Sequence, residues 1–334
     1  MVDDRPRAFA DDWRFKPQNE LTTLQRVLAK SSFLGPSPRT TQFPRPSGKV
    51  PVVREWQLHC LIAPWAFGPV LVRWALQHYA QWTVPPTVMF LFLAVYMVMF
   101  VSHYFETLYD LSRRYGFFDG SAPRDAISPS MVPRVLYEAF LAILLRPFVM
   151  IAFAYDRHAT CEISLWLPVQ LFFFTLIADF FYYWVHRATH EFDRLWCLHR
   201  LHHTLKHPSP SLLGYADVPQ EIFDIIGTMT LAYLAYPLRF DELQIWLVYL
   251  ESIEASGHSG VRVYMPGCLT STILRQWNCE LALEDHDLHH RHGWRDSFNY
   301  GKQSRLWDAL FGTWLERVEG TKDNLDWSTR VALP

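Results

Sequence analysis

The sequence predicts an all-α integral membrane protein, a multi-span helical bundle with a cytosolic, histidine-rich, metal-binding cap. Three observations predict it. The chain holds long apolar segments, dense histidine clusters begin where the last strong one ends, and arginines gather in some connections and not in others. Half of the 334 residues are hydrophobic, with 24 Phe, 15 Tyr and 14 Trp, so there is ample material for a core. The formal charge of −2, with arginines scattered between apolar segments, gives no basic stripe, and no nucleic-acid partner is expected. Five cysteines, Cys60, Cys161, Cys197, Cys268 and Cys279, are too scattered for a disulfide framework or a zinc knuckle and read as structural thiols in a reducing compartment.

Along the chain, the first 30 residues carry Asp3, Asp4, Asp11, Asp12 and several arginines but no continuous apolar run, so no cleaved secretory signal is expected. Leu21, Leu24, Val27 and Leu28 recur at helical spacing. They predict an amphipathic helix that lies on the membrane, covers the cytosolic domain or is simply solvated along one face. Residues 35 to 51, with five prolines, read as an extended linker.

The first span runs from Trp56 to Tyr79 with Arg73 near one end; the second, Val84 to Tyr104, is nearly free of charge. Each is long enough to cross roughly 30 Å of hydrocarbon, and together they read as a helical hairpin. A third run, Val135 to Tyr155, contains Arg146-Pro147 and reads as a weaker or kinked span whose arginine must snorkel or pair. The fourth, Ile163 to Val185, ends directly on His186, with Tyr182, Tyr183 and Trp184 expected as an interfacial aromatic belt.

Arg113, Arg114, Arg124 and Arg134 lie between the second and third spans, none lies between the first and second, and only Arg157 lies between the third and fourth. Cytosolic loops retain Lys and Arg, so the amino terminus, the second-to-third loop and everything after Val185 are assigned to the cytosol. The apolar limbs Ile222 to Leu238 and Leu243 to Ile253, broken by Pro237, are short for a full crossing. They read as a re-entrant or tilted helical hairpin that returns His258 to the same side.

Three boxes follow: His186 and His190; His199, His202 and His203; His286, His289 and His290. Residues three and four apart share a helix face, so the imidazoles of one box project together toward one ion or two adjacent ones. Imidazole donors without a regular carboxylate motif favour iron or zinc over calcium or magnesium. Asp179, two turns before His186, could accept the distal N–H of a ligand imidazole or be an intramembrane acid paired for structural reasons. His207 and His292 could be ligands, donors behind the ligands or surface residues. His258 stands alone between glycines, with Glu254 one turn earlier.

The ordered set HRATH, LHRLHH, GHSG and EDHDLHH, followed by NYG, WD and FGT, resembles the fatty acid hydroxylase and sterol desaturase superfamily of membrane di-iron oxygenases over about residues 163 to 315. The resemblance implies metal ligation by His186, His190, His199, His202, His203, His258, His286, His289 and His290. It assigns Asn299-Tyr300-Gly301, Trp307-Asp308 and Phe311-Gly312-Thr313 to the scaffold. Many relatives have a further histidine in an Ala-His-Pro-type segment, where this chain has Asp217; Asp217 could substitute as an oxygen ligand, His207 could compensate, or the site could bind one metal less tightly. Expected domains are a tail at 1–55, transmembrane helices at 56–162, a hydroxylase-like catalytic domain at 163–315 and a C-terminal tail at 316–334.

By resemblance, the cofactor is a pair of iron ions, with zinc able to replace them in purified protein. The substrate is a hydrophobic lipid, sterol or terpenoid-like molecule drawn from the membrane, to be hydroxylated at an unactivated C–H bond with dioxygen. Desaturation, or oxidation of a methyl group or aldehyde, is the alternative within the superfamily. The chain shows no GxGxxG fingerprint, so electrons must come from a separate donor. The family points to cytochrome b5 and its reductase at the endoplasmic reticulum. A zinc hydrolase lacks its HExxH, a haem cytochrome would place isolated histidines inside the spans, and a non-catalytic zinc-binding protein would hold metal without consuming oxygen.

Overall fold

The computed structural model describes residues 13–334 apart from 32, 38–40, 46, 121 and 296. Asp3, Asp4, Asp11, Asp12 and parts of the proline-rich linker lie outside the described residues. α1, Thr23–Lys30, is fixed by a reciprocal cap: Thr22 Oγ1 accepts from Gln25 N at 3.2 Å, and Gln25 Oε1 accepts from Thr22 N at 2.8 Å. Its buried face is offset from the apolar pattern. Leu21, Gln25 and Leu28 turn inward, whereas Leu24 and Val27 are exposed. Leu21 and Leu28 pack with Trp13 against Met131, Val132 and Val135, so α1 covers the start of the fourth helix.

The four expected spans are all present: α2, Glu55–Tyr79; α3, Pro86–Tyr115; α4, Val132–Ala154; and α5, Leu167–Glu191. Each is long and apolar enough to cross a membrane, and together they make a helical membrane bundle. α3 runs well past Tyr104 because its backbone hydrogen bonds continue into the cap. It stops at Gly116, whose φ of +72° suits the left-handed turn that ends a helix. Pro86 and Pro168 sit at helix starts, where a missing N–H costs nothing, while Pro147 lies inside α4 without ending it.

After α5 come α6, Asp193–His199, then α7, Val218–Ile222, a π-helical turn at Phe223–Gly227, and α8, Thr228–Ala235. The two short apolar limbs contain α8 and α9, Phe240–Gly257, but the limbs do not close on each other as the expected hairpin: α8 packs on α5 and α9 chiefly on α2. α9 is longer than its apolar limb and almost wholly buried, packed against α2, α3, α4 and α5. It tolerates burial because its acids find partners: Asp241 meets Arg73 of α2 at 2.6 Å, and Glu251 and Glu254 both meet Arg146 of α4. Arg146 therefore pairs rather than snorkels.

The cap adds α10, Ser271–Leu274, α11, Leu283–His292, and α12, Leu306–Phe311. Its one sheet among the described residues is a parallel pair, β1, Val50–Pro51, and β2, Leu325–Asp326, with Val50 opposite Leu325. Backbone hydrogen bonds from Val53 to Tyr264, Phe118 to Gly260 and Arg262 to Gly116 tie the start of α2 and the end of α3 to the cap. The expected aromatic belt is corrected by the packing. Only Trp184 is exposed; Tyr183 is fully buried with its hydroxyl 3.0 Å from Thr313 Oγ1, and Tyr182 is buried against the interior, because this turn of α5 is covered by the cap.

Candidate metal centre

Nine imidazoles converge in two adjoining groups at the C-terminal end of α5. His186, His190, His199, His203 and His289 form one, and His202, His258, His286 and His290 the other; within each, one ring nitrogen per residue lies within 4.8 Å of all the rest. All nine are buried. The boxes contribute unevenly. The first box enters the group of five whole, whereas the second and third split: α6 ends at His199, and a 3-10 turn at His202–Thr204 then points His202 and His203 to different groups. On α11, His286 and His290, one turn apart, share the group of four, and His289 turns to the other. His203 and His290, one from each group, stack 4.9 Å apart, so the groups are neighbours.

Backbone carbonyls set the tautomers. Nδ1 of His186 lies 2.8 Å from Tyr300 O, Nδ1 of His190 lies 3.0 Å from Trp294 O, and Nδ1 of His289 meets Phe298 O. In the other group Nδ1 of His202 meets Tyr215 O, that of His258 meets Glu254 O and that of His290 meets Leu205 O. A carbonyl only accepts, so each Nδ1 carries the proton and each Nε2 is left with a lone pair. These lone pairs then face one another. His202 and His258 bring their Nε2 atoms to 3.3 Å with no proton between them, and the Nε2 atoms of His190 and His290 are buried without any partner. Such a donor set is satisfied by cations placed among the nitrogens, so the residues fit the metal that their types suggest. Burial, followed by the neighbouring imidazoles, holds His199, His203 and His286 well below the ordinary histidine range, and burial lowers His258 to about 4. Neutral rings able to ligate are the result at neutral pH.

Residues 297–317 form the frame that presents two of these carbonyls, those of Phe298 and Tyr300. The Asp308 carboxylate accepts from Tyr300 N and Gly301 N, each at 2.8 Å, and from Thr313 Oγ1. Asn299 bridges Asp285 O and Leu315 N. Phe298 and Asn299 both adopt positive φ, +50° and +47°, a conformation unusual for an aromatic side chain and imposed here at the turn that aims Phe298 O at His289.

The other sequence candidates lie elsewhere. Asp179 meets no imidazole: its oxygens accept from Lys302 N, Gln303 N and Ser304 Oγ at 2.6 to 2.8 Å, anchoring the frame one step removed from His186. Asp217 precedes the first residue of α7 and pairs with Arg134 at 2.9 Å, outside both groups. The Glu254 side chain is held by Arg146 and Lys302, and only its backbone carbonyl reaches His258. His207 stands 4.0 Å from Asp119, and His292 is exposed at the end of α11. The orienting carbonyls had no signal in the sequence, since any residue supplies one. Glu138 did have one, an acid in an apolar span. It proves to line a cavity of about 250 Å³ whose inner end is formed by His202 and His258.

A membrane helical bundle capped by buried histidines that face one another is the architecture of a membrane metalloprotein. Residues 171–313, somewhat under half of the chain, match the model of the fatty acid hydroxylase family, and this stretch carries that family's domain. It is 40% identical over 237 residues to a fatty acid hydroxylase of a Lecanicillium species, covering 67% of this chain and 65% of that one. It is 30% identical to a methylsterol monooxygenase of Aspergillus fumigatus, over 44% of this chain and 47% of the relative. It is 32% identical to a very-long-chain aldehyde decarbonylase of Oryza sativa subsp. indica, over 47% of this chain and 56% of the relative. The chain thus spans just under two thirds of the first of these and about half of the others. No solved structure matches it.

Proposed function

We propose that the protein is a membrane oxidoreductase of the di-iron oxygenase type that hydroxylates an unactivated C–H bond of a lipid-like substrate. The observation that carries this reading is the set of Nε2 lone pairs turned toward one another at the inner end of an apolar-mouthed cavity. His186, His190, His199, His203 and His289 would hold one ion, and His202, His258, His286 and His290 the other. Bound there, two reduced irons supply the activation of dioxygen that no side chain can perform. Zinc could occupy the same nitrogens in purified protein.

The chain itself supplies position and exclusion of water. Met97 and Val101 of α3, with Phe140 and Ile143 of α4, line the cavity and Phe140 is largely exposed, so a hydrocarbon chain enters between two spans. Its target carbon then lies beside the group of four. Holding that carbon in a near-attack position is worth several kcal/mol, about enough to decide between hydroxylation and loss of a second hydrogen. Hydroxylation is favoured by the relative with the highest identity quoted above, named a fatty acid hydroxylase. The names of the other two keep methyl-group and aldehyde oxidation as the second reading.

On this reading the stretch 163–315 is the catalytic domain and 56–162 the membrane part, with the tails 1–55 and 316–334 outside both. Arg113 and Arg114 in the last turn of α3, Arg124 in the connection and Arg134 in the first turn of α4 support a cytosolic cap at the endoplasmic reticulum, where cytochrome b5 and its reductase would deliver electrons. The test is lipid and small-molecule profiling of membranes with and without the chain, supplied with an electron donor and isotopically labelled dioxygen. A product that gains one labelled oxygen is expected. Unchanged profiles with full metal content would overturn the proposal.

A further inference from the structure

The cavity's inner end is not apolar, and its charges do not balance. Two of its lining residues, Arg146 and Lys302, are cations, and both are committed: Arg146 pairs with Glu251 and Glu254, and Lys302 lies 3.1 Å from Glu254. Glu138, Glu221 and Asp224 line the same space and belong to no ion pair among the described residues. Glu138 is 1% exposed, and neither of its carboxylate oxygens has a hydrogen-bond partner; Oε1 of Gln220, also on the wall, has none either. Gly214 faces Glu138 so closely that an added Cβ would come within 3.3 Å of the glutamate Cβ, so the bare backbone there leaves the carboxyl its room. The π-helical turn after α7 brings Asp224 to the wall beside Glu221.

Buried acceptors without donors are costly, and a ligand that supplies the donor relieves them. A carboxylate placed beside Glu138 would instead bring a further charge to a buried wall that holds three acids and, among its side chains, no uncommitted cation. We infer that the inner end of the cavity takes a lipid carrying a neutral hydrogen-bond donor, a hydroxyl or an amide N–H, and rejects a free carboxylate, with Glu138 as the discriminating residue. The inference rests on the proposed function only in taking this cavity as the substrate site, and it is read by binding rather than turnover.

The experiment uses the full chain in detergent, loaded with iron, and radiolabelled hexadecan-1-ol, hexadecanamide and hexadecanoic acid at a pH where the acid is ionised. The alcohol and the amide should bind about tenfold tighter than the acid or better. Glu138→Gln keeps an acceptor but loses the charge, and should narrow the gap to about threefold by improving the acid. Glu138→Leu should weaken the alcohol and the amide as well. Iron content equal to the parent chain checks that each variant is folded. Equal binding of acid and alcohol, no binding of any probe, or the same ratio in both variants overturns the inference. Turnover measured on the same samples separates the two claims: selective binding without any oxygenated product would count against the oxygenase reading alone.

Discussion

The two histidine groups are made of one residue type and held in two ways. In the group of five, the carbonyls that orient His186, His190 and His289 all come from one short stretch, Tyr300, Trp294 and Phe298. In the group of four they come from three separate places, Leu205, Tyr215 and Glu254. Only the group of four reaches the cavity, through His202 and His258. One group therefore depends on a single folded frame set back from the cavity, and the other on the convergence of several elements at the cavity's inner end. The frame is closed by backbone hydrogen bonds to Asp308, whereas the convergence depends on close approach, such as that of Gly257 at the end of α9 to the ring of His286.

This difference can be broken one group at a time. Removing a ligand should have the largest effect: His289→Ala and His286→Ala should each lose most of the iron from their own group and reduce oxygen-dependent turnover to background, with membrane insertion retained. Elemental analysis and product formation check this, and full iron with full activity in either variant would remove that residue from the site. Next comes the frame. Asp308→Asn should lower iron affinity of the group of five by about 10- to 100-fold and stability by about 1–3 kcal/mol, leaving the group of four loaded. Chelator competition and thermal unfolding separate this from a uniform loss, which would contradict separate supports.

Gly257→Ala should act on the other side only. A Cβ at that position would lie 3.2 Å from His286 Cβ and Cδ2, so the ring must shift, and iron in the group of four should bind about tenfold more weakly. Equal weakening of both groups would show that they are not independently held. The smallest effect belongs to Asp217→His. Because Asp217 is engaged with Arg134 outside both groups, iron stoichiometry should stay the same and stability should change by less than about 0.5 kcal/mol. A gain in iron affinity would restore Asp217 to the ligand set.

The spans were legible because a run of apolar residues of bilayer length has few other uses, and the boxes because spacings of three and four place side chains on one helix face. How the nine rings divide was not legible. It depends on α6 ending at His199 and a tight turn following, so that adjacent His202 and His203 diverge, and helical spacing alone would have kept that box together. The aromatic pair Tyr182 and Tyr183 misled for a related reason, since hydropathy marks the end of an apolar run but not the cap that covers it. Asp179 was correctly placed near the first box, yet its partners are backbone N–H groups of residues 302 and 303, more than a hundred positions later, and no pattern in α5 could name them.

The most direct measurement is the metal content and Mössbauer spectrum of the purified full chain after loading with iron. The account predicts about two irons per chain, one for each set of nitrogens, and loss of about one iron with its part of the spectrum in each of His289→Ala and His286→Ala. A single ion per chain, or an unchanged iron content and spectrum in either variant, would contradict it.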